Sequence, residues 1–276
     1  MSRSSTTKRI AAAVSALVLA GLVAAGAVGY LTFVRSPVNP SAADCADGRP
    51  RSEGPVVVAA GASMTQGTLG RDWVADLRAR PEFADHTLVN AGDNGNTSAD
   101  LRERLDTDVL ACEPDAVVLL IGTNDVRDGV PLAEYRANIA AIVQRVEERT
   151  SAQVALLSLP PLGEELDSRL NRRLRDYNAA LRTIAEETTA AYVPVNEHFT
   201  EALRDQSHRP AFAFSFPTAY AAAARHYLLG RTWDEVARAN GLELYVDHIH
   251  LSDKGGAIVT GLVADWLATA AGPDPR

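Results

Sequence analysis

The stretch VVVAAGAS, residues 56–63, decides the fold. Its first part, Val56–Ala60, is a short run of apolar residues without any polar interruption. Such a run is typical of a strand that is buried on both faces of a parallel sheet. Gly61 and Gly67 then permit a sharp turn from strand to helix, which would present the hydroxyl of Ser63 at the end of the strand.

Further strands and helices alternate along the chain. Apolar runs of strand length lie at Thr87–Asn90, Ala116–Ile121, Val154–Leu159 and Ala191–Val195. Helical patterns lie at Asp72–Arg80, from Thr97 to about Leu110, from Pro131, from Leu166 to Ile184, and from Ser252 to about Ala270. This alternation predicts an α/β fold with a five-stranded parallel sheet between helices. Ligand sites in such sheets form at the carboxyl ends of the strands, near the point where the strand order reverses.

The N-terminus carries a long apolar run. Ile10–Val34 is uncharged over 25 residues, which is about 37 Å of helix and enough to cross a bilayer. Arg3, Lys8 and Arg9 precede the run, so this end should stay in the cytoplasm and the rest should be exported. We interpret residues 1–35 as a transmembrane signal anchor, which places the following domain outside the cytoplasmic membrane. The alternative is a signal peptide cut near residues 24–27, which would release the protein.

Composition and charge bound the remaining chain. The 276 residues are 46% hydrophobic and 22% charged, as in ordinary folded domains. Residues 36–54 are rich in Pro, Ser, Ala, Asp and Gly and are typical of a linker. Residues 55–272 then suffice for one domain with a sizeable core. The net charge is −8 and the first 35 residues contribute +4, so the remainder carries −12. This charge argues against nucleic acid as a partner and against electrostatic adhesion to anionic lipid.

The chain has two cysteines, Cys45 in the linker and Cys112 just before a predicted strand. Both positions lie near the amino-terminal edge of the predicted sheet. An oxidising compartment favours one disulfide bond between them, which would fasten the linker to the domain. The alternative is two free thiols.

An extra segment at about residues 200–245 separates the fifth strand from the last motif. It is rich in aromatic side chains, namely Phe212, Phe214, Phe216, Tyr220, Tyr227 and Trp233. Thr232 and Glu235 form a capping-box pattern for a short helix that Gly241 ends. The segment is either a helical excursion packed on the core or a lid that lines the acyl pocket. We assign Phe212, Phe214 and Phe216 to substrate binding on the second interpretation.

Polar residues follow the predicted strands in four short blocks. They are Gly61-Ala62-Ser63, residues 92–97 (GDNGNT), residues 122–125 (GTND) and residues 247–250 (DHIH). A serine at the end of a strand is often only a helix cap. A serine nucleophile needs a base, however, and His250 with Asp247 three residues earlier supplies a base and the carboxylate that orients it.

The remaining histidines have simpler interpretations. His248 with Asp247 and His250 could form a metal site, but no further cluster of acids or histidines accompanies them. We therefore expect no metal and no cofactor. The other histidines, His86, His198, His208 and His226, are expected to be structural or exposed.

Two further residues are candidates for stabilising a developing negative charge. Gly95 offers a backbone N–H that no side chain shields, and Asn124 offers an amide just after a buried strand. Donors aimed at an oxyanion are often the largest single catalytic contribution. Asp125 is interpreted as a turn carboxylate that could also orient Asn124.

The four blocks together resemble those of the SGNH hydrolases, also called GDSL esterases and lipases. The resemblance covers roughly residues 55–270. It implies a flavodoxin-like three-layer α/β/α fold, a Ser63–His250–Asp247 triad, and an oxyanion hole formed by the Ser63 N–H, the Gly95 N–H and the Asn124 side chain. The family usually has Asp where this chain has Ala62. That Asp is not the triad acid, so its loss removes no catalytic atom.

The sequence therefore predicts an exported serine esterase that acts on acylated lipid or carbohydrate through an acyl-Ser63 intermediate. The alternatives are an acyltransferase that modifies cell-envelope glycans with the same triad, and an envelope scaffold without activity. The sequence does not indicate an oligomeric state.

Overall fold

The computed structural model describes residues 3–36, 40–50, 54–204 and 210–270. In these residues five parallel strands form one sheet, in the order β2-β1-β3-β4-β5. The strands are β1 Val56–Gly61, β2 Thr87–Gly92, β3 Ala116–Leu120, β4 Gln153–Leu157 and β5 Ala191–Val193. The predicted fold class is confirmed. The strand order reverses between β1 and β3, which places the expected ligand site at the carboxyl ends of these two strands.

The helices cover both faces of the sheet. Their bounds are α1 Arg3–Gly29, α2 Ser63–Gln66, α3 Trp73–Arg78, α4 Ser98–Glu103, α5 Leu105–Asp108, α6 Thr123–Asp128, α7 Leu132–Arg149, α8 Arg169–Glu187, α9 Val195–Ala202, α10 Phe216–Leu229, α11 Trp233–Ala239 and α12 Asp253–Ala270. Helices α4, α7 and α8 pack together on one face, and α3, α9 and α12 pack together on the other. The result is the three-layer α/β/α arrangement that the resemblance implied.

One predicted helix is broken into three pieces. Thr97 caps α4 as expected, but α4 ends at Glu103, α5 follows, and a 3₁₀ turn spans Leu110–Cys112. The break lies at Arg104, whose backbone leaves the helical region. Its guanidinium donates to the carbonyl oxygens of Gly61 and Ala91, at 2.9 and 3.0 Å. These contacts lie far away in the sequence, so helical periodicity did not reveal them.

A disulfide bond joins Cys45 and Cys112, with an S–S distance of 2.00 Å. Cys45 ends a 3₁₀ turn that begins at Ala42, and Cys112 lies four residues before β3. The bond therefore lies near the amino-terminal edge of the sheet, opposite the edge that carries the four blocks. Arg49 also pairs with Asp115, at 2.6 Å. The described part of the linker is thus fastened beside the strands rather than to the candidate site.

The N-terminal apolar run forms a helix, as predicted. Helix α1 continues into a π-helical turn at Tyr30–Val34. By length and composition, Lys8–Val34 could cross a membrane. Residues 8–23 are exposed, and burial begins only near the end of the helix, where Val28 is fully buried against α10. The division into residues 1–35, 36–54 and 55–272 stays a prediction.

Candidate active site

Ser63 lies at the sharp turn that follows β1. The residue begins the single-turn helix α2, which Gly67 ends in the left-handed conformation at φ 70°. Gly61 is required at the strand end, because a Cβ there would lie 2.3 Å from Thr65 Oγ1 and 2.4 Å from a backbone oxygen. The turn presents the Ser63 hydroxyl toward His250, whose Nε2 is 2.9 Å from Ser63 Oγ.

Asp247 holds the other side of the His250 ring. The distance from His250 Nδ1 to Asp247 Oδ2 is 2.7 Å, and Asp247 is fully buried. The backbone N–H groups of His250 and Ile249 donate to Asp247 Oδ1 at 2.9 and 3.2 Å. Burial opposes ionisation of the carboxyl, but His250 and these backbone donors lower the pKa of Asp247 below its ordinary value. The geometry therefore favours a carboxylate that fixes the tautomer and direction of the imidazole.

The predicted oxyanion donors lie in the loops after β2 and β3. Gly95 has φ 82°, and a Cβ there would meet no atom within 4 Å. The glycine is thus needed for its backbone conformation, not for space. Asn124 lies in the first turn of α6, and its Nδ2 donates to the carbonyl oxygen of Asn96 at 2.8 Å. This bond fixes the amide plane and leaves a second N–H on the same nitrogen.

A buried network that the sequence analysis missed joins these two loops. Asp125, which is fully buried, accepts the backbone N–H of Ser98 at 3.0 Å and also its hydroxyl. Asn138 of α7 donates to Ser98 Oγ at 3.0 Å. Burial raises the pKa of Asp125, although the bonds from Ser98 oppose the shift. Ser98 and Asn138 gave no signal in the sequence, because a serine after a helix cap and an asparagine in a helix are both common.

Arg104 is a second missed residue. Besides the strand-end carbonyls, it donates to Asn96 Oδ1 at 2.6 Å and pairs with Asp108 at 3.0 Å. One guanidinium thus connects the end of β1, the end of β2 and the loop that carries Gly95. It supports the backbone on which the candidate nucleophile and the candidate oxyanion donor lie.

Ala62 stands where the family usually has Asp. Its side chain is 4% exposed and belongs to the main apolar core. Its carbonyl oxygen accepts the N–H groups of Thr65 and Gln66 at 3.0 and 2.9 Å. Backbone bonds therefore hold the turn around Ser63, and the turn does not depend on an Asp side chain at this position.

His248 lies beside Phe212 and Gly163. It has φ 75°, an uncommon conformation for a residue other than glycine. Its ring lies 5.9 Å from that of Phe212, and its buried Nδ1 has no hydrogen-bond partner. Burial lowers the pKa of His248. Within the described residues, no group of three or more His, Cys, Asp or Glu side chains is arranged to hold a metal ion.

The aromatic residues differ in their distance from the site. The ring centroids of Phe214 and His250 are 6.1 Å apart, and those of Phe214 and Phe216 are 5.8 Å apart. Phe212 contacts His248, as described above. Phe216 is 72% exposed, so it does not line a closed pocket. The segment at residues 200–245 thus places Phe212 and Phe214 beside the two histidines of the last block. Phe216 lies farther out, at the exposed surface.

The other histidines contact neighbours outside the site. His86 lies against Asp85 and Phe83, and His226 stacks on Trp233 at 3.9 Å. His198 is part of α9. His208 lies outside the described residues.

The sequence matches a model of the GDSL-like lipase/acylhydrolase family over residues 59–258. The chain belongs to this family. The match begins in β1 and ends in α12, so it includes all four blocks. The family membership makes the chain a carboxylic ester hydrolase of the GDSL type, as the sequence predicted.

Two proteins that the chain resembles are named as esterases. The chain is 29% identical to an acetylxylan esterase of Geobacillus stearothermophilus over 211 residues, which are 71% of this chain and 90% of that protein. It is 37% identical to the esterase TesA of Pseudomonas aeruginosa over 93 residues, which are 32% of this chain and 46% of TesA. The first match extends over nearly a whole esterase, whereas the second covers only part of one.

Solved structures support the fold. The structure of Axe2, an acetylxylan esterase from G. stearothermophilus, matches with a TM-score of 0.57 and 22% identity, over 82% of this chain and 99% of that one. The structure of LAE5, an alpha/beta hydrolase enzyme from a lake metagenome, matches with a TM-score of 0.58 and 22% identity, over 79% of this chain and 96% of that one.

Proposed function

We propose that the protein is an exported serine esterase that hydrolyses carboxylic esters through an acyl-Ser63 intermediate. One observation carries the proposal. Ser63 Oγ, the His250 ring and the Asp247 carboxylate form an unbroken hydrogen-bonded series at 2.9 and 2.7 Å. Three side chains from two distant segments meet in the order that activation of a serine requires.

The first half of the reaction transfers the acyl group to the enzyme. Ser63 Oγ attacks the acyl carbon while its proton passes to His250 Nε2, and Asp247 stabilises the resulting imidazolium. The carbonyl oxygen becomes an oxyanion, to which the N–H groups of Ser63, Gly95 and Asn124 donate. The tetrahedral intermediate then collapses, and the leaving alcohol takes the proton from His250.

The second half returns the enzyme to its starting state. Water gives a proton to His250 and attacks the acyl carbon of the Ser63 ester. Collapse of this second intermediate expels Ser63 Oγ, which takes its proton back from His250. The acid product leaves, so a single base serves both halves of the reaction.

We further propose that α1 stays attached as an anchor and that the catalytic domain lies outside the cytoplasmic membrane. The support is the contact of α10 with α1 at the site where a signal peptide would be cut. The hydroxyl of Tyr220 donates to the carbonyl oxygen of Ala25 at 2.6 Å, and a cut at residues 24–27 would disrupt this contact. A C-terminal tag on the full chain should cofractionate with membranes, with an intact mass. A shortened protein in the medium would contradict this part of the proposal.

The test of the proposed chemistry uses the full chain in detergent and a series of p-nitrophenyl esters. Ser63→Ala is expected to abolish hydrolysis without loss of folding. Ser151→Ala, at an exposed serine beside the start of β4, is the matched control and should keep full activity. Equal turnover by Ser63→Ala and the unaltered protein, with contaminating esterases excluded, would overturn the assignment of the nucleophile.

A further inference from the structure

The end of the N-terminal apolar segment is held by the same loops that carry the candidate site. The carbonyl oxygen of Thr32 accepts the hydroxyl of Thr68 at 2.8 Å and the Asn94 amide at 3.3 Å. The carbonyl oxygen of Arg35 accepts the Gln66 amide at 3.0 Å. Gln66 lies in the helical turn of Ser63, and Asn94 precedes Gly95. The point where the chain leaves the apolar segment is therefore fixed close to the site.

Helix α10 packs along the last turns of α1. The hydroxyl of Tyr220 donates to the carbonyl oxygen of Ala25 at 2.6 Å. Val28 belongs to a small apolar cluster with three alanines of α10, which are Ala219, Ala222 and Ala223. Tyr227, near the end of α10, contacts the guanidinium of Arg35 through its hydroxyl and its ring. Helix α10 thus contacts the chain from Ala25 in α1 to Arg35, just after the π-helical turn.

The length of α1 places this contact at the depth of the membrane. Arg9 is the last charged residue before the run, and Ala25 follows it by 16 positions. At 1.5 Å per residue they span about 24 Å, less than the ~30 Å of a bilayer's hydrocarbon core. If α1 crosses the bilayer, Ala25 and Val28 lie within its outer leaflet. Because α10 packs against them, α10 must lie in or beside the outer leaflet too.

The exposed surface of α10 is suited to contact with the outer leaflet. Its exposed large side chains are apolar, with Phe216 72%, Leu228 51% and Leu229 68% exposed. Residues 210–224 contain no charged side chain, in a chain that is 22% charged. The guanidinium of Arg225 donates a hydrogen bond to the side-chain oxygen of Asn240. An exposed apolar surface of this kind, continuous with a membrane-spanning helix, is typical of a segment that lies in a bilayer interface.

We propose that α10 lies in the outer interface of the bilayer beside α1, and that the site takes esters of amphiphiles that reside in this leaflet. The contact is apolar, so it agrees with the −12 charge beyond residue 35, which disfavours electrostatic adhesion. The substrate half of this inference rests on the proposed esterase function, whereas the membrane contact of α10 does not.

A row of aromatic rings leads from this surface to the catalytic histidine. Phe33, at the end of the apolar run, lies 6.4 Å from Phe216. Phe216 contacts Phe214, and Phe214 contacts His250. In the proposed complex, the acyl chain lies along these rings while its ester group reaches Ser63. The rings thus offer an apolar route between the bilayer and the reacting atoms.

The depth of α10 is measured with a fluorescent label on the full chain in nanodiscs. The two native cysteines are bonded to each other, so an introduced cysteine is the reactive thiol. Leu228→Cys carries an environment-sensitive fluorophore, and Glu148→Cys, at an exposed position on α7, is the matched control. The label at position 228 should emit at shorter wavelength and be quenched by phosphatidylcholine that carries a nitroxide on its acyl chain. The control should show neither effect.

Two outcomes of the label experiment overturn the membrane contact. Emission typical of water at position 228 would show that α10 is free in solution. A shift to shorter wavelength without nitroxide quenching would show that protein, such as a second copy of this chain, covers the surface.

The substrate half is tested by comparing two esters. The double variant Leu228→Ser, Leu229→Ser should lower hydrolysis of p-nitrophenyl palmitate embedded in vesicles by about tenfold, because it weakens apolar contact with the leaflet. Hydrolysis of p-nitrophenyl acetate in solution should not change. Leu132→Ser, at an exposed leucine of α7, is the control and should affect neither ester.

The outcomes separate this inference from the proposed function. Equal loss on both esters, or no loss on the embedded ester, would overturn the substrate half. If the unaltered protein hydrolyses neither ester, the esterase proposal fails, while nitroxide quenching at position 228 still decides the place of α10.

Discussion

Asp125 holds both hydrogen-bond donors of Ser98: the backbone N–H donates to the two carboxylate oxygens at 3.0 and 3.2 Å, and the hydroxyl donates to Oδ1. Asp125 ends the block at residues 122–125, and Ser98 directly follows the block at residues 92–97. Asp125 follows Asn124 in α6, and Ser98 begins α4 just after the loop that carries Gly95 and Asn96. Asn124 also donates to the Asn96 carbonyl at 2.8 Å. The two proposed oxyanion donors are therefore held relative to each other by contacts between neighbouring loops.

Asp125→Asn is expected to lower both stability and kcat. An amide has one acceptor oxygen where the carboxylate has two, so it cannot hold both the N–H and the hydroxyl of Ser98 as Asp125 does. Weakening a buried hydrogen bond costs about 1–3 kcal/mol. Thermal unfolding and p-nitrophenyl acetate kinetics measure the two effects. Asp128→Asn, at an exposed carboxylate of the same helix, is the control. A loss of stability with kcat unchanged would show that Asp125 supports the fold without positioning the donors.

Asn124→Ala is expected to lower kcat by about 10²–10³-fold with a smaller effect on KM, because the amide donates most strongly to the charge of the transition state. Steady-state kinetics on one ester separate the two constants. A rise in KM with unchanged kcat would instead make Asn124 a group that binds the substrate in its ground state.

Glu164 provides a prediction on pH and stability. This buried carboxyl accepts the N–H groups of Glu243 and Leu244, both at 2.7 Å, and so holds the segment before Asp247. Burial raises the pKa of Glu164 above its ordinary value, although the two N–H donors oppose the shift. The folded state therefore holds the proton more tightly than the unfolded state. The contribution of Glu164 to stability is full below the unfolded pKa and is lost as the pH rises through the folded pKa.

Glu164→Gln should remove this dependence on pH, because an amide keeps an acceptor oxygen and does not titrate. Denaturant unfolding between about pH 4 and pH 8 is the measurement. The difference in unfolding free energy between the variant and the unaltered protein should shift in favour of the variant as the pH rises. Glu165→Gln, at the next residue, is the control. A constant difference across the range would contradict the raised pKa.

Chelation is expected to leave ester hydrolysis unchanged. The proposed reaction uses His250 as the base and backbone and amide donors for the oxyanion, so none of its steps needs a metal ion. Incubation with EDTA followed by the p-nitrophenyl acetate assay measures this. Loss of activity that a divalent ion restores would favour Asp247, His248 and His250 as metal ligands instead.

The sheet and its four blocks were predictable because their signals are local. Strands buried on both faces appear as continuous apolar runs, and the first three blocks each follow such a run. The fourth block follows the segment at residues 200–245 instead. Arg104, Ser98 and Asn138 were not predictable. Their partners lie in other segments, and neither spacing nor periodicity reports on a contact between distant residues. The contact between α1 and α10 was hidden for a different reason. A uniformly apolar run shows that a helix can cross a membrane, but not which of its turns packs on the domain.

Phe214 should influence the preference for acyl-chain length. Its ring contacts His250 on one side and Phe216 on the other, at 6.1 and 5.8 Å, so it lies between the reacting atoms and the exposed rim. Apolar walls discriminate by about 1–3 kcal/mol per methylene. Phe214→Ala should therefore shift the optimum of kcat/KM along a series of p-nitrophenyl esters, from acetate to octanoate, without abolishing hydrolysis. Phe212→Ala, beside His248, should shift it less. If the ratio of long-chain to short-chain kcat/KM stays constant in both variants while their stability falls, these rings only pack the core, and the segment at residues 200–245 is not an acyl-binding wall.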